Sequence, residues 1–398
     1  LPRKIYFIPE FGFVCLERYI CLKGIHTPNI SLFKVSPNKT YVILNILLTA
    51  SQLDKGIILA WRHPGGNEKE GYSPGQYGNC TLTYNRSLFY DAMAVVFDFS
   101  AFDAVQSDLT RKYTRFPDQV FVWNTMESPA TLRHTHKRNF KNFDFLMNWT
   151  MTYRRDSDIL SPYTNPDVVL GLLDHHSGTE NVDKLLATKH NMALWMVSNC
   201  QNTKGAAIRL KLVQSLVDAG LPVQRYGGCF NNKAALEALP AEEKNSFKFY
   251  LSFENTHRCK DYITEKFWYN GIGNRRVPVV WGPAKQDLLE LAPKGSFIHW
   301  DDFESPGKLV EYLKYLDKNQ TAYREYFKWL EFPEDTKTWF NSVYKNLRLV
   351  GLCDKVKSNP KSKVIPSIDD VFFNSESQEC IGLVAELPKG YFVQRLSF

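Results

Sequence analysis

Short apolar runs alternate with amphipathic stretches along the chain from Gly56 onward. Apolar runs of this length, bounded by turn-forming residues, are typical of buried strands. The pattern predicts strands at residues 57–61, 94–99, 119–123, 145–152, 192–198, 223–226, 247–253 and 277–281. Apolar residues at helical spacing predict one helix over residues 206–219 and another from Tyr262 to about Gly271, capped by Asp261.

This alternation of strands and helices predicts a doubly wound α/β fold. Ligands of such folds bind at the carboxyl ends of the strands, beside helix N-termini. Residues 161–190 are polar and contain Pro162, Pro166 and Gly171, which indicates a connection between two domains. We therefore predict a stem or variable segment at 1–55, a first domain at 56–165, the connection at 166–190, a second domain at 191–345 and a tail at 346–398.

The composition excludes a disordered chain and argues against a nucleic-acid partner. The 398 residues are 44% hydrophobic and 14% aromatic, which suits a packed core and a sugar-binding protein alike. The formal net charge of +7 weakly favours anionic ligands, but the sequence has no block of consecutive Lys or Arg. The best apolar run, residues 41–50, is well short of the ~20 residues that cross a bilayer. We expect that a targeting segment has been removed.

The cysteines and glycosylation sequons predict an oxidising, lumenal compartment. The eight cysteines are even in number, dispersed and without CxxC pairs, which favours disulfides over zinc. Sequons occur at Asn29, Asn38, Asn79, Asn85, Asn148 and Asn319. Cys200 and Cys229 follow two strands predicted to be parallel neighbours, which lie ~4.8 Å apart. Because disulfide Cα atoms are ~5.5–6 Å apart, we predict a Cys200–Cys229 bond.

The densest polar cluster is ENTHRCKDYITEKF, at residues 254–267, where a predicted strand leads into a helix. Backbone N–H groups and the helix dipole would face a phosphate there. Lys266 could meet a pyrophosphate and Glu265 a ribose, although an ordinary capped surface helix explains the pattern equally well. Glycine-rich nucleotide-binding motifs are absent, so a basic helical side chain such as Arg209 is another candidate for phosphate binding.

Two acidic features are candidates for chemistry. Asp156-Ser157-Asp158 is a DxD triplet, but the neighbouring Arg154 and Arg155 oppose a divalent cation, so we favour ion pairs with these arginines. Glu127 follows a predicted strand, where a carboxylate is well placed to act as a general base. The alternative is a solvated glutamate.

These pieces occur together in a known arrangement. The segments KFYLSFEN, CKDYITEKF, VPVVWGP, VSNC and MNWTMTYRRDSD resemble, in sequence and order, the motifs of glycosyltransferase family 10, the α1,3/4-fucosyltransferases. The resemblance spans about Gly56 to Asp354. Within the family, the sequence is most similar to the invertebrate and plant core α1,3-fucosyltransferases. It implies an α/β GT-B fold, in which two Rossmann-like domains face each other across a cleft. The first domain would hold the acceptor, and the second would bind GDP-fucose.

The resemblance also implies roles for individual residues. Glu127 corresponds to the catalytic base. The donor-binding positions fall on Tyr163, Trp195, Ser198, Asn199, Arg209, Tyr250, Asn255, Tyr262, Glu265 and Lys266. Among these, Arg209 and Lys266 would face the pyrophosphate and Glu265 the ribose. Cys80 and Cys353 occupy positions that pair in family relatives, so the tail would return to the first domain.

The implied activity is an inverting α1,3-fucosyltransferase that moves L-fucose from GDP-fucose to a GlcNAc of glycoprotein glycans. A single carboxylate base suffices because GDP is a good leaving group, so no cofactor is expected to be required, and manganese stimulation stays open. The expected acceptor is the Asn-linked core GlcNAc. The alternatives are a Lewis-type enzyme acting on LacNAc or LacdiNAc antennae and a non-catalytic, lectin-like lumenal protein. The expected location is the Golgi lumen, with a type II membrane anchor outside this sequence.

Overall fold

The computed structural model describes residues 55–63, 71–101, 113, 115, 119–358, 363–378 and 380–382, together with five short strands nearer the N-terminus. Residues 1–55 form one compact unit and residues 56–398 another. The N-terminal strands are β1 (Ile5–Ile8), β2 (Phe13–Leu16), β3 (Ile20–Lys23), β4 (Ser31–Ser36) and β5 (Lys39–Ile43). Strands β1 to β3 form an antiparallel sheet, and β4 pairs with β5. The unit boundary coincides with the predicted end of the N-terminal segment.

The first sheet of the larger unit has the order β12-β11-β10-β9-β6-β8-β7. Its strands are β6 (Ile57–Ala60), β7 (Gly75–Tyr77), β8 (Cys80–Thr83), β9 (Ala94–Asp98), β10 (Val120–Thr125), β11 (Trp149–Thr152) and β12 (Ile159–Leu160). All the pairings are parallel except that of β7 with β8. Strands β9 and β10 are buried along their whole length, as expected for apolar strands at the centre of a parallel sheet.

The second sheet is parallel throughout, with the order β14-β13-β15-β16-β17. Its strands are β13 (Asn191–Met196), β14 (Val223–Tyr226), β15 (Phe247–Phe253), β16 (Val277–Trp281) and β17 (Ile298–His299). One wholly parallel sheet and one that is parallel except for its edge strand β7, both with helical connections, confirm the predicted α/β class, a GT-B fold of two Rossmann-like domains.

The α-helices within the described residues lie mostly around the second sheet. They are α1 (Pro166–His176), α2 (Thr179–Ala187), α3 (Lys204–Asp218), α4 (Lys233–Ala238), α5 (Ala241–Asn245), α6 (Lys285–Leu291), α7 (Pro306–Lys318), α8 (Gln320–Arg324), α9 (Lys328–Glu331), α10 (Pro333–Val343) and α11 (Arg348–Ser358). The segment predicted as a connection thus consists of α1 and α2, whose apolar residues join the core of the second sheet. Asn165 caps α1 by accepting a hydrogen bond from the Val168 N–H at 3.0 Å, and Pro166 starts it, so polar residues here begin a helix.

Two of the predicted elements begin later than expected. The strand predicted at 145–152 starts at Trp149, because Phe145 has a φ of 61° and is 70% exposed, which ends the extended backbone. The helix predicted from Tyr262 starts at Lys266 and runs to Gly271 as a π-helical segment. The capping role predicted for Asp261 is wrong, since its carboxylate accepts hydrogen bonds from the backbone N–H and the Nε of Arg155.

Three disulfides join distant parts of the described chain. The predicted bonds Cys80–Cys353 and Cys200–Cys229 are confirmed, with Cα separations of 5.8 and 5.6 Å. The third, Cys259–Cys380, was not predicted and has a Cα separation of 4.6 Å. Among the described helices, none is long and apolar enough to cross a membrane.

Candidate active site

A cleft of about 530 Å³ lies where the carboxyl end of β10 in the first sheet approaches those of β13 and β15 in the second. Its walls come from both domains. They include Glu127, Tyr163, Ser198, Asn199, Arg209, Asn255, Tyr262, Glu265 and Lys266, together with Met196, Val197, Gly227, Lys233, Leu236 and Asn270. All the predicted site residues except Trp195 and Tyr250 therefore line a single cleft.

Glu127 stands just beyond β10, in a turn that the neighbouring hydroxyls fix. Its backbone N–H donates to Thr125 Oγ1 at 3.1 Å, and Ser128 Oγ accepts from the Thr131 N–H at 3.2 Å. Burial raises the pKa of the Glu127 carboxyl, while the positive charge of Lys266 opposes this rise. A partly buried carboxylate with a raised pKa accepts a proton more readily than a free glutamate, which is what a general base requires.

Lys266 faces Glu127 across the cleft and is held by three oxygens. Its Nζ lies 3.2 Å from Glu254 Oε2 and 2.8 Å from Glu265 Oε1, and it donates to Thr264 Oγ1 at 2.9 Å. Burial alone would lower the pKa of Lys266, but the two carboxylates outweigh it and raise this pKa. The side chain therefore stays cationic, and at 15% exposure it still reaches the cleft.

Glu254 and Thr264 are functional residues that the sequence reasoning did not assign. Glu254 directly follows β15 and is 1% exposed. Its Oε1 accepts from the Thr264 N–H at 2.9 Å and from Thr264 Oγ1 at 2.8 Å, so the two side chains fix each other and Lys266. The signal was present, because Glu254 is a carboxylate at the end of a strand, the same criterion that singled out Glu127.

Arg209 lies on α3 and is buried in the cleft wall. Its Nη1 donates to the Phe253 carbonyl at 2.8 Å and its Nη2 to the Asn199 carbonyl at 2.7 Å. The guanidinium thus ties together the ends of β13 and β15. Burial lowers the pKa of Arg209. Its positive charge lies at the ends of β13 and β15, where the family resemblance predicts that a pyrophosphate binds.

Two tyrosines close the cleft beside Glu127. The Tyr163 hydroxyl donates to the Met126 carbonyl. The Tyr262 ring packs edge-on against Tyr163 and against Tyr153, at centroid distances of 5.8 and 5.0 Å. Burial raises the pKa of Tyr163 and of Tyr262 well above the usual value, so both hydroxyls remain protonated donors.

A glycine turn shapes the donor side of the cleft. Gly227 has a φ of 114°, and a Cβ there would lie 2.3 Å from the Val197 carbonyl oxygen. Ser198 Oγ accepts from the Gly228 N–H at 3.1 Å, and the Cys200–Cys229 bond closes the same turn. This packing brings the backbone beside Ser198 close to the cleft and leaves no room for a side chain at position 227.

Asn255 brings a buried polar atom to the cleft wall. Its side chain lines the cleft, and its Oδ1 is buried without a hydrogen-bond partner among the described residues. A buried polar atom of this kind is costly unless another molecule satisfies it. Asn270 and Lys233 also line the cleft, and the sequence reasoning assigned neither.

The structure does not bring Trp195 and Tyr250 to the cleft surface. Trp195, on β13, belongs to the core of the second sheet and packs edge-on against Phe230 at 5.8 Å. Tyr250 is buried on β15, and its hydroxyl accepts from Asn270 Nδ2 at 3.2 Å. Side chains on central parallel strands point into the packed layers on either side, so these two residues support the wall from behind.

The DxD triplet is occupied by ion pairs. Arg154 Nη2 lies 2.6 Å from Asp156 Oδ2, which confirms the expected pairing, whereas Arg155 pairs with Asp261 at 2.8 Å instead. Asp158 lies 2.9 Å from Lys363 Nζ. No cluster of three or more metal-binding side chains occurs among the described residues.

Comparisons with known proteins cover both sheets. Residues 53–164 match the family model "Fucosyltransferase, N-terminal", and residues 186–371 match "Glycosyltransferase family 10 (fucosyltransferase) C-term". The chain is 35% identical over 296 residues to 3-galactosyl-N-acetylglucosaminide 4-alpha-L-fucosyltransferase FUT3 of Bos taurus, covering 74% of each chain. It is 36% identical over 284 residues to Alpha-(1,3)-fucosyltransferase 7 of Rattus norvegicus, covering 68% of each. A crystal structure of an alpha1,3-fucosyltransferase with GDP-fucose aligns with a TM-score of 0.42 at 18% identity, over 72% of this chain and 89% of that chain.

Proposed function

Because the chain belongs to glycosyltransferase family 10, the fucosyltransferases, we propose that it transfers L-fucose from GDP-fucose to a GlcNAc of a glycoprotein glycan, forming an α1,3 linkage with inversion. The observation that carries this proposal is the pairing of Glu127 and Lys266 across one cleft between the two sheets. The pair offers a base on the first domain and a fixed cation on the second.

The proposed reaction is a single in-line displacement at the anomeric carbon of fucose. Glu127 takes the proton from the attacking sugar hydroxyl as the new C–O bond forms. The bond from the anomeric carbon to the diphosphate oxygen breaks, and Lys266 stabilises the negative charge on the departing GDP. The burial of Arg209 strengthens its electrostatic effect at the same place.

Other cleft residues support donor binding in this proposal. Glu265 accepts hydrogen bonds from the ribose hydroxyls, and the unpaired Oδ1 of Asn255 accepts one from the donor. Tyr163 and Tyr262 line the cleft beside Glu127, and their hydroxyls remain protonated. No cofactor is required, because side-chain cations take the place of a metal at the diphosphate. Manganese stimulation is compatible with the proposal and is tested by adding the ion.

We propose the Asn-linked core GlcNAc as the acceptor, on the strength of the sequence resemblance. A Lewis-type acceptor is the second candidate, and the name of the bovine relative, a galactosyl-N-acetylglucosaminide fucosyltransferase, favours it. The dispersed cysteines and the sequons support work in the Golgi lumen, with a type II anchor outside this sequence. The proposed partners are thus GDP-fucose and an N-glycan or glycoprotein, without nucleic acid.

The test is incubation with GDP-fucose and three matched acceptors: an N-glycan with a free core GlcNAc, a LacNAc antenna and a LacdiNAc antenna. Mass spectrometry with linkage analysis identifies the product, and the Glu127→Gln variant serves as the control. We expect α1,3-fucose on the core GlcNAc. Product on an antenna alone would select the Lewis-type reading. Binding of GDP without transfer to any acceptor would support the non-catalytic, lectin-like alternative.

A further inference from the structure

The loop between β15 and Lys266 carries Tyr262 and Glu265 into the cleft, yet its backbone is unfavourable by itself. Arg258 and Asp261 have φ values of 55° and 59°, in the left-handed region that residues with a Cβ rarely adopt. Such conformations persist only where surrounding groups hold them. The contacts that hold this loop therefore determine the positions of Tyr262 and Glu265 on the donor side of the cleft.

Three consecutive residues of this loop contact the C-terminal strap, which we define as residues 363–378 and 380–382. Ser377 Oγ donates to the Arg258 carbonyl at 2.9 Å. Cys259 is bonded to Cys380. The Lys260 N–H donates to Glu376 Oε2 at 3.1 Å. The family match ends at residue 371, so all three strap residues lie beyond it.

The strap is in turn fixed to the first sheet. Glu376 is 1% exposed, and its Oε1 accepts from Arg154 Nη1 at 2.8 Å. The same Nη1 donates to the Phe372 carbonyl at 3.0 Å. The Phe372 ring packs edge-on against Trp123 of β10 at 4.8 Å. Glu376 therefore joins the first domain, through Arg154, to the loop of the second.

Tyr262 shows how the strap reaches the cleft. Tyr262 lies two positions after Lys260, the last of the three loop residues that contact the strap. Its ring lies in the same apolar cluster as Phe372 and Cys380. The Lys260 side chain adds a second link to the first domain, since its Nζ donates to Asp156 Oδ2 at 2.9 Å. A shift of the strap would thus move Tyr262 and the residues that follow it.

We propose that Glu376 and the Cys259–Cys380 bond are positioning residues that set the affinity of the cleft for the nucleotide sugar. This inference rests on the proposed donor site. The strap acts through the loop residues 258–260 and through Tyr262, and does not touch the donor. Its loss lowers the fraction of molecules whose loop is arranged for binding, and the apparent Kd rises in proportion.

The test is calorimetric titration of GDP into four forms of the protein: wild type, the double variant Cys259→Ser/Cys380→Ser, Glu376→Ala and Glu376→Gln. We expect the double variant and Glu376→Ala to weaken GDP binding about tenfold and to raise the KM for GDP-fucose equally, with kcat and the acceptor KM within twofold of wild type. Glu376→Gln offers its single oxygen to the Lys260 N–H but turns an N–H group toward Arg154, so its affinity for GDP should lie between those of wild type and Glu376→Ala.

The matched control is Cys80→Ser/Cys353→Ser, which removes the disulfide between β8 and α11, neither of whose cysteines lines the cleft. All variants are measured well below their thermal midpoints. We expect this control to lower the midpoint without changing the Kd for GDP. If wild type binds GDP and the strap variants bind it equally well, the strap proposal is wrong. If wild type itself does not bind GDP, the proposed function fails instead. A fall in kcat at constant GDP affinity also overturns the positioning role.

Discussion

The ammonium of Lys266 lies 3.2 Å from Glu254 Oε2, and the Glu254 carboxylate is itself held by the backbone and hydroxyl of Thr264. The cation is therefore fixed before any ligand arrives. A charge whose position is set in advance stabilises a developing charge without reorganisation at the moment of reaction. Substitution of Lys266 therefore tests the proposal that this residue stabilises the negative charge on the departing GDP.

Lys266→Ala should weaken the binding of GDP and of GDP-fucose together, because both contain the diphosphate. Hydrogen bonds to charged groups are worth about 1.5–3 kcal/mol, so each Kd should rise about 10- to 100-fold. Calorimetry measures both. Lys285→Ala is the control, because its exposed ion pair with Asp302 lies outside the cleft lining. An unchanged GDP affinity in Lys266→Ala would remove this residue from the pyrophosphate.

Glu127→Gln should leave GDP binding nearly unchanged and reduce kcat by ~10²-fold or more, as for the loss of a general base. Stopped-time assays and calorimetry on the same preparation separate the two effects. The amide keeps the size of the side chain and cannot take the proton. Near-normal turnover would contradict the role of Glu127.

The pH dependence of wild-type activity should report the ionisation of the Glu127 carboxyl. Burial raises the pKa of Glu127, and the base works only when it is ionised. Activity should therefore be full above this raised pKa and fall as the pH drops through it. The acid limb of kcat/KM should lie above the pKa of ~4.3 of a free glutamate. A limb at or below that value would show that the titrating group is not the buried Glu127.

The strands could be predicted because they follow from local apolar patterns, whereas most of the residues placed at the cleft came from the resemblance to the family and not from any local pattern. Apolar runs identify central strands such as β9 and β10, and chain order places their carboxyl ends at one edge. The start of the helix at Lys266 could not be predicted. The Asp261 carboxylate, expected to cap a helix from Tyr262, instead accepts a hydrogen bond from Arg155, which is distant in sequence. The Cys259–Cys380 bond could not be predicted either, because it is also a long-range contact and no local sequence pattern indicates that the strap reaches this loop.

Gly227→Ala should destabilise the protein and weaken GDP binding. The left-handed φ of 114° and the 2.3 Å approach of a Cβ to the Val197 carbonyl leave no room for a methyl group. Strain of this kind costs of order 1–3 kcal/mol. Thermal unfolding and GDP titration measure the two effects. Gly295→Ala is the control, because Gly295 also has a positive φ, of 73°, but lies in open space and outside the cleft lining. Equal GDP affinity in both variants would contradict the close packing described for the cleft.

The sequons offer a prediction about which asparagines receive glycans. Asn79 and Asn85 are exposed, whereas Asn148 is buried and fully engaged: its Oδ1 accepts from the Phe121 N–H at 2.7 Å and its Nδ2 donates to the Lys363 carbonyl at 2.8 Å. We expect glycopeptide mapping of secreted protein to find Asn148 unmodified.

Substitution of Asn148 should separate a structural asparagine from a glycan acceptor. Asn148→Ala leaves the buried Phe121 N–H without its partner, which costs about 1–3 kcal/mol and should lower the thermal midpoint. Asn79→Gln, which removes an exposed sequon, should change the mass by one glycan and leave the midpoint nearly unchanged. A glycan on Asn148 would contradict the contact between Asn148 Nδ2 and the Lys363 carbonyl, because the attached sugar would have to occupy the space between these two groups.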